Sequence, residues 1–334
     1  MQKSIKIMSI LICISLPMCT ETVLTDEIAV DNTVMLTADE MAVVAEKKEL
    51  RAAHLHEDIQ SALTKQGITA AERKTKVDEL YIALTSKVNS AKEQSDIVKQ
   101  LEDLGVYVLE SSLTSATSHP NKAMSVRSST QYLEWRSVVV SYDSLNDTWI
   151  LGAGGNWNAE NEWVNDIPQN DISFPSVGTE VDIGGLDGIG IKLYNTFCDD
   201  NHTYYPTVLV DSYAYISDGL GNYEYTITPT AGIDPADGVF FPYQDYATCT
   251  ETGINASGIY SQWTYYGRNF SVFAEYSSEF EYYHGYASIN YVHTWNNTGI
   301  RIADAEISTN PKFSIEFYND GDDFSVTSNS NTIF

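Results

Sequence analysis

From residue 260 to 317 aromatic and β-branched side chains alternate with polar ones, and short turn sequences interrupt them at intervals. Between residues 269 and 276, Phe270, Val272, Ala274 and Tyr276 share one parity, while Asn269, Ser271 and Glu275 share the other with Phe273. Over residues 312–317 the alternation is cleaner, with Phe313, Ile315 and Phe317 set against Lys312, Ser314 and Glu316. Strand side chains point to alternate faces, so this pattern predicts a meander of antiparallel strands with one dry face and one wet face. Further strands are expected over residues 135–142, 149–151, 179–183, 190–194, 207–216 and 223–228. Asp218-Gly-Leu-Gly-Asn222 supplies the glycines and Asn that a hairpin between the last two requires. Short strands and turns over some two hundred residues, with no repeat, predict an all-β antiparallel sandwich.

Upstream the period is that of helices. Thr37-Ala-Asp-Glu40, Thr69-Ala-Ala-Glu72 and Ser90-Ala-Lys-Glu93 are capping-box patterns, in which a hydroxyl and a carboxylate satisfy the first free backbone donors. Met41, Val44, Lys48, Ala52, Leu55, Ile59 and Leu63 recur at spacings of three or four, which predicts one helix running to about Gln66 and ended by Gly67. Val77, Leu80, Tyr81, Leu84 and Val88 form a second stripe, and Ile97, Leu101 and Leu104 a third that Gly105 closes. The expected architecture is therefore α+β in two domains. A helical hairpin or small bundle over 37–110 and a Ser/Thr-rich linker over 111–130 precede an acidic, aromatic-rich sandwich over 131–334. A bundle with exposed apolar stripes would self-associate.

Lys3 and Lys6 followed by the apolar run 7–16 read as a signal peptide over 1–20, with a tether over 21–36. That places the protein outside the cell or on its surface. Leu16-Pro17-Met18-Cys19 is a degenerate lipid-attachment box that would offer Cys19 as an anchor. No later stretch approaches the length of a spanning helix. In an oxidising compartment Cys198 and Cys249 are an even pair, and a disulfide between them is expected.

Charge narrows the partners. The net charge is −27, and from residue 130 on five basic residues face twenty-eight acidic ones, so the β region carries 5 − 28 = −23 of it. Nucleic acid and anionic membrane surfaces are thereby excluded. Acidic loops raise the question of calcium, with Asp199 and Asp200 in one and Asp320, Asp322 and Asp323 in another, although Asx and Gly also occur in turns for conformational reasons. Trp263, Tyr265, Tyr283, Tyr286 and Trp295 are candidates for a ligand face, since aromatic rings beside acidic acceptors suit an extracellular glycan or protein.

Catalytic chemistry is thinner. There is no Gly-x-Ser-x-Gly elbow, His-Glu-x-x-His or phosphate loop. Glu279 and Glu281, on one face of an expected strand with Glu275 just before, could in principle serve glycoside hydrolysis, and such a row also fits the wet face of an acidic sheet. His284 and His293 flank a strand, and each would need a partner histidine or carboxylate to act. The sequence thus favours a non-enzymatic binding or adhesion module, ahead of a carbohydrate-active enzyme or a purely structural surface module.

Overall fold

The computed structural model describes residues 37–55, 58–85, 90–114, 124–125, 133–135, 137–157, 175–198, 208–218, 224–227, 235–294, 299–304, 314–318, 324–328 and 332–334. It has helices in its N-terminal part and a mostly antiparallel β region, an α+β protein. The expected signal peptide, tether and most of the linker lie outside the described residues.

Each capping box starts a helix. Thr37 opens α1 (Ala38–His54), its hydroxyl accepting from Glu40 N at 3.2 Å while Glu40 accepts from Thr37 N. Thr69 and Ser90 do the same for α3 (Ala70–Thr85) and α4 (Ala91–Asp103). The single long helix expected to reach Gln66 is instead broken. Asp58 caps a separate α2 (Ile59–Lys65) by accepting from Ser61 N at 3.1 Å. Gly67 and Gly105 follow α2 and α4 at φ of +71° and +78°, the left-handed turn that lets a helix end. A short α5 (Glu110–Thr114) runs from the end of the expected helical region into the expected linker.

Among the described residues the strands, in chain order, are β1 (Val106–Val108), β2 (Met124–Ser125), β3 (Leu133–Trp135), β4 (Val139–Asp143), β5 (Thr148–Trp157) and β6 (Glu180–Cys198). There follow β7 (Leu209–Ser217), β8 (Glu224–Ile227), β9 (Gly238–Asn255), β10 (Gly258–Tyr266) and β11 (Asn269–Ser277). The last are β12 (Tyr283–Thr294), β13 (Gly299–Asp304), β14 (Ser314–Tyr318), β15 (Phe324–Ser328) and β16 (Thr332–Ile333). One seven-stranded sheet runs β1-β4-β5-β11-β7-β8 with β3 beside β5; the other runs β10-β9-β6-β12-β15-β2 with β16 beside β12. β13 and β14 pair separately.

Two expected strands, 179–183 and 190–194, are parts of the one strand β6. Between them its pairing with β9 shifts register from Asp182 to Leu186. The Gln244 amide spans this irregularity, donating to the carbonyls of Ile183 and Gly185 at 3.0 and 3.1 Å. Gly238 opens β9 at φ +115°, where a Cβ would run into the Ile191 carbonyl, so only glycine fits this approach.

Inward-facing residues of both sheets share one core. Leu151, Phe270 and Val272 of the first meet Ile189, Phe241, Ile289 and Tyr291 of the second. Much of the outer face of the first sheet is covered, contrary to expectation. Val139, Ile150 and Phe273 pack there beneath Leu63, Val77, Tyr81, Leu84 and Leu101 of the helices. The apolar stripes of α3 and α4 are therefore spent on the sheet, and Leu36 to Phe334 form one compact unit. Helix α1 presents Val43, Lys47 and Arg51 toward the sheets and leaves Met41, of the expected stripe, 54% exposed.

The Cys198–Cys249 disulfide expected from sequence is not formed. Cys249 is a free, buried thiol with Sγ 3.4 Å from the Glu251 carbonyl. Its backbone N–H donates to Thr179 O at 2.8 Å, just before β6 begins, whereas Cys198 ends that 19-residue strand. Extended chain of that length separates the two by on the order of 50 Å, against a limit of about 7 Å between bridged Cα atoms. Reducing agent is accordingly expected to leave the thermal midpoint unchanged. A fall equivalent to about 2–5 kcal/mol on reduction would restore the bridge.

Candidate functional site

Two regions carry chemistry beyond packing. The first is the ribbon formed by the ends of β9 and β10, which outruns β6: the last β6 partner of β9 is Glu180, opposite Thr248, while the β9–β10 pairing continues to Asn255 and Gly258. A register shift between Gln262 and Trp263 leaves Thr250 without a Cα partner, and its hydroxyl donates to Gln262 O at 3.2 Å. On one face Tyr260 lies over Gly253, its direct partner, and donates to Glu251 at 2.8 Å. At the tip Ile254 and Ile259 are paired and stand 76% and 55% exposed.

Strand β10 contains no charged residue and no proline over its nine positions, and among the described residues it pairs only with β9. An open strand edge without charge or proline is a template for another strand. Exposed Glu251 of β9 stands opposite Gln262 of β10, exposed Glu180 and Asp182 lie one strand further in on β6, and exposed Val177 sits in the turn whose Gly178 N–H donates to Cys249 O at 2.7 Å.

The second region is buried between the sheets. Three adjacent strands, β9, β6 and β12, contribute Asp245, Asp187 and His293, and one donor atom from each lies within 4.8 Å of the others. The side chains of Asp187 and His293 are 0% and 1% exposed, and Asp245 is 0% exposed. Alternation explains the grouping: Tyr243 and Asp245 share a face of β9, Tyr291 and His293 share a face of β12, and Asp187 stands opposite Tyr243 in register. Asp187 Oδ2 is 2.7 Å from His293 Nδ1 and accepts from the Tyr291 hydroxyl at 3.2 Å, while Oδ1 accepts from Thr294 N at 2.9 Å.

The first sheet walls this cluster with aromatic rings. Trp157 donates from Nε1 to the Tyr291 hydroxyl at 3.1 Å and lies 5.1 Å from the His293 ring, and Phe270 stacks on Tyr291 at 4.3 Å. Burial, and then the negative charge of Asp187 and Asp245, hold the Tyr243 hydroxyl well above its usual range. Burial and the neighbouring Tyr243 and Asp187 do the same to Tyr291. Both phenols are therefore neutral donors at any physiological pH.

The residues singled out in the sequence fall apart in space. Trp263 and Tyr265 lie on β10, at the edge of the second sheet, whereas Tyr283 and Tyr286 lie on β12, with β9 and β6 between. Tyr265 and Tyr283 pack against the inter-sheet core, and Tyr286 donates to Glu40 of α1 at 2.8 Å. Trp295 and the acidic loops with Asp199, Asp200, Asp320, Asp322 and Asp323 lie outside the described residues. Glu279 and Glu281 sit in a 3-10 turn, Ser278–Tyr282, rather than on a strand. Glu281 is bound to Arg51 at 2.6 Å, and Glu275 accepts from Thr148 at 2.6 Å.

His293 does meet a carboxylate, but one a hundred residues earlier in the chain, which no local motif reveals. Asp187 and Asp245 are ordinary acidic residues in sequence and become distinctive only when three strands align.

No described helix is long and apolar enough to cross a membrane. No protein-family model matches the chain, and no curated protein matches it.

Proposed function

We propose that this chain is an exported, non-enzymatic binding protein whose two sheets form a β-sandwich and whose β9–β10 ribbon docks an extended segment of a partner protein. One observation carries the reading: a nine-residue edge strand without charge or proline, tipped by exposed Ile254 and Ile259, on a body of net charge −27. Main-chain hydrogen bonding along β10 supplies affinity in such strand addition, and side-chain pockets on alternate positions supply selectivity. Exposed Glu251 beside β10 and the net charge of −27 favour a segment in which β-branched or aromatic residues alternate with Lys or Arg.

The test is a displayed library of extended peptides panned against the immobilised full chain. Enriched sequences are expected to carry Lys or Arg at alternate positions and to bind less well as salt rises. Ser261 and Gln262 are both exposed on β10, and replacing both with Lys blunts the edge and reverses its local charge. The doubly substituted chain should bind the enriched peptides at least about tenfold more weakly, a loss of about 1.4 kcal/mol. A library that yields no binder, or binders indifferent to these substitutions, overturns the proposal. Dimerisation of the chain abolished by the same substitutions would make the occupant a second copy instead.

A further inference from the structure

We infer that Asp187, Asp245 and His293 form a site for one divalent first-row transition-metal ion, bound within the fold between the two sheets. Three kinds of observation meet there. The donors come from three neighbouring strands and converge on one point, with one atom of each within 4.8 Å of the others. Donors no farther apart than that can share one ion at the ~2.0–2.4 Å of oxygen and nitrogen ligands.

The donor types select the metal class. One imidazole with two carboxylates suits Zn2+ or Mn2+. Calcium, by contrast, takes six to eight oxygens and gains nothing from an imidazole.

The surroundings add a second argument. Two carboxylates and an imidazole occupy a core otherwise built of Trp157, Phe270, Tyr243 and Tyr291, all at most 3% exposed. Burying carboxylates in such a place is costly, and a divalent cation is the usual compensation. The Asp187 carboxylate lies 2.7 Å from His293 Nδ1, so these two donors are already side by side. Asp187 is itself fixed by Thr294 N and the Tyr291 hydroxyl, so the pair is held in place before an ion arrives.

Burial sets the kinetics. With every donor residue at most 1% exposed, the ion enters during folding and leaves only when the sheets separate. Surface carboxylates, numerous in this chain, would exchange metal within the mixing time and release it to excess calcium or magnesium.

The experiment unfolds the full chain in urea with chelator, refolds it with Zn2+, with Mn2+ or with neither, and dialyses against excess calcium. Retained metal is then measured by mass spectrometry beside the thermal midpoint. The expected result is one ion per chain from Zn2+ or Mn2+, a raised midpoint, and release to chelator that is slow in buffer but immediate in urea. Asp245→Asn should abolish retention while still folding, since it removes a buried charge. His293→Gln, which keeps a polar side chain of similar reach, is the second variant should the first fail to fold. Refolded wild-type chain that retains no metal overturns the inference, and so does retention unchanged in a folded variant or lost to calcium. In each of those cases the cluster is a hydrogen-bonded network only. Neither result bears on peptide binding at β10, so the two proposals fail separately.

Discussion

Arg73→Ala is expected to destabilise the fold by about 3–5 kcal/mol, the cost of removing one partner from a buried ion pair. Arg73 of α3 meets Asp143 at the end of β4 through two nitrogens, at 3.0 and 2.7 Å, with side-chain exposures of 5% and 3%. Its Nε also donates to Leu104 O, the cap of α4, at 2.8 Å, so a single guanidinium ties two helices to the first sheet. Alanine would leave Asp143 charged in a dry place with only the backbone donors of Leu145 and Asn146 and the Asn146 amide. Replacing both partners, Arg73→Met with Asp143→Leu, should recover much of the loss in helix–sheet packing, although those three donors to Asp143 would then lose their acceptor. The measurement is the urea midpoint followed by tryptophan fluorescence and by far-ultraviolet circular dichroism together. The two signals should move as one, because Tyr81 and Leu84 of α3 and Ile150 and Phe273 of the sheet belong to a single core. A helical signal that melts first, leaving the tryptophans folded, would show a separate helical domain.

That coupling also explains what the sequence concealed. Capping boxes are local, and all three at Thr37, Thr69 and Ser90 start helices where they stand. Parity along residues 269–276 also survives, since Phe270, Val272, Ala274 and Tyr276 all enter the inter-sheet core. Phe273, the apolar residue of the opposite parity, was the only sign that the other face is covered too. Strand length was hidden because the expected strands stop at 183 and resume at 190, on either side of the glycines at 184, 185 and 188, whereas β6 carries those glycines through a register shift.

The face of α1 was hidden for another reason. Apolar periodicity points to Met41 and Val44, yet the helix buries Glu40, Val43 and Lys47, because its polar groups have designated partners across the sheet ends. The Asp187–Asp245–His293 cluster is an extreme of the same effect. Its members are separated by 58 and 48 positions, and only strand order brings them together.

Between pH 7 and about 10 the protein should become more stable as pH rises, and Lys47 is the reason. Its ammonium nitrogen is enclosed, donating to the carbonyls of Phe280 and Tyr283 and lying 4.6 Å from the Phe280 ring and 5.6 Å from Trp149 and Phe334. Burial pulls its pKa from 10.5 down to about 7, with the Glu281 carboxylate pushing back and Lys48 adding to the fall. Glu281 is itself held by Arg51, which also grips Asp147. The unfolded chain therefore carries a proton on Lys47 that the folded chain has released, and this contribution to stability rises with pH until the unfolded lysine loses its proton as well, around 10.5. The full span is worth at most about 5 kcal/mol at 1.36 kcal/mol per unit, less whatever the carbonyls and ring faces return to the cation. Above pH 10 the sign reverses, because Tyr81, Tyr213, Tyr243 and Tyr291 are held protonated by burial in the fold while their unfolded counterparts ionise. Lys47→Met should remove the rise between pH 7 and 10 and leave the fall above it. At pH 7 the substitution should be nearly neutral, with relief of a buried amine offset by about 1–3 kcal/mol for each carbonyl left without a donor. At pH 10, where wild-type Lys47 is neutral and still donates, the variant should be the less stable of the two. A urea-midpoint series across this range decides the matter, since a rise that persists in Lys47→Met would assign it to another group.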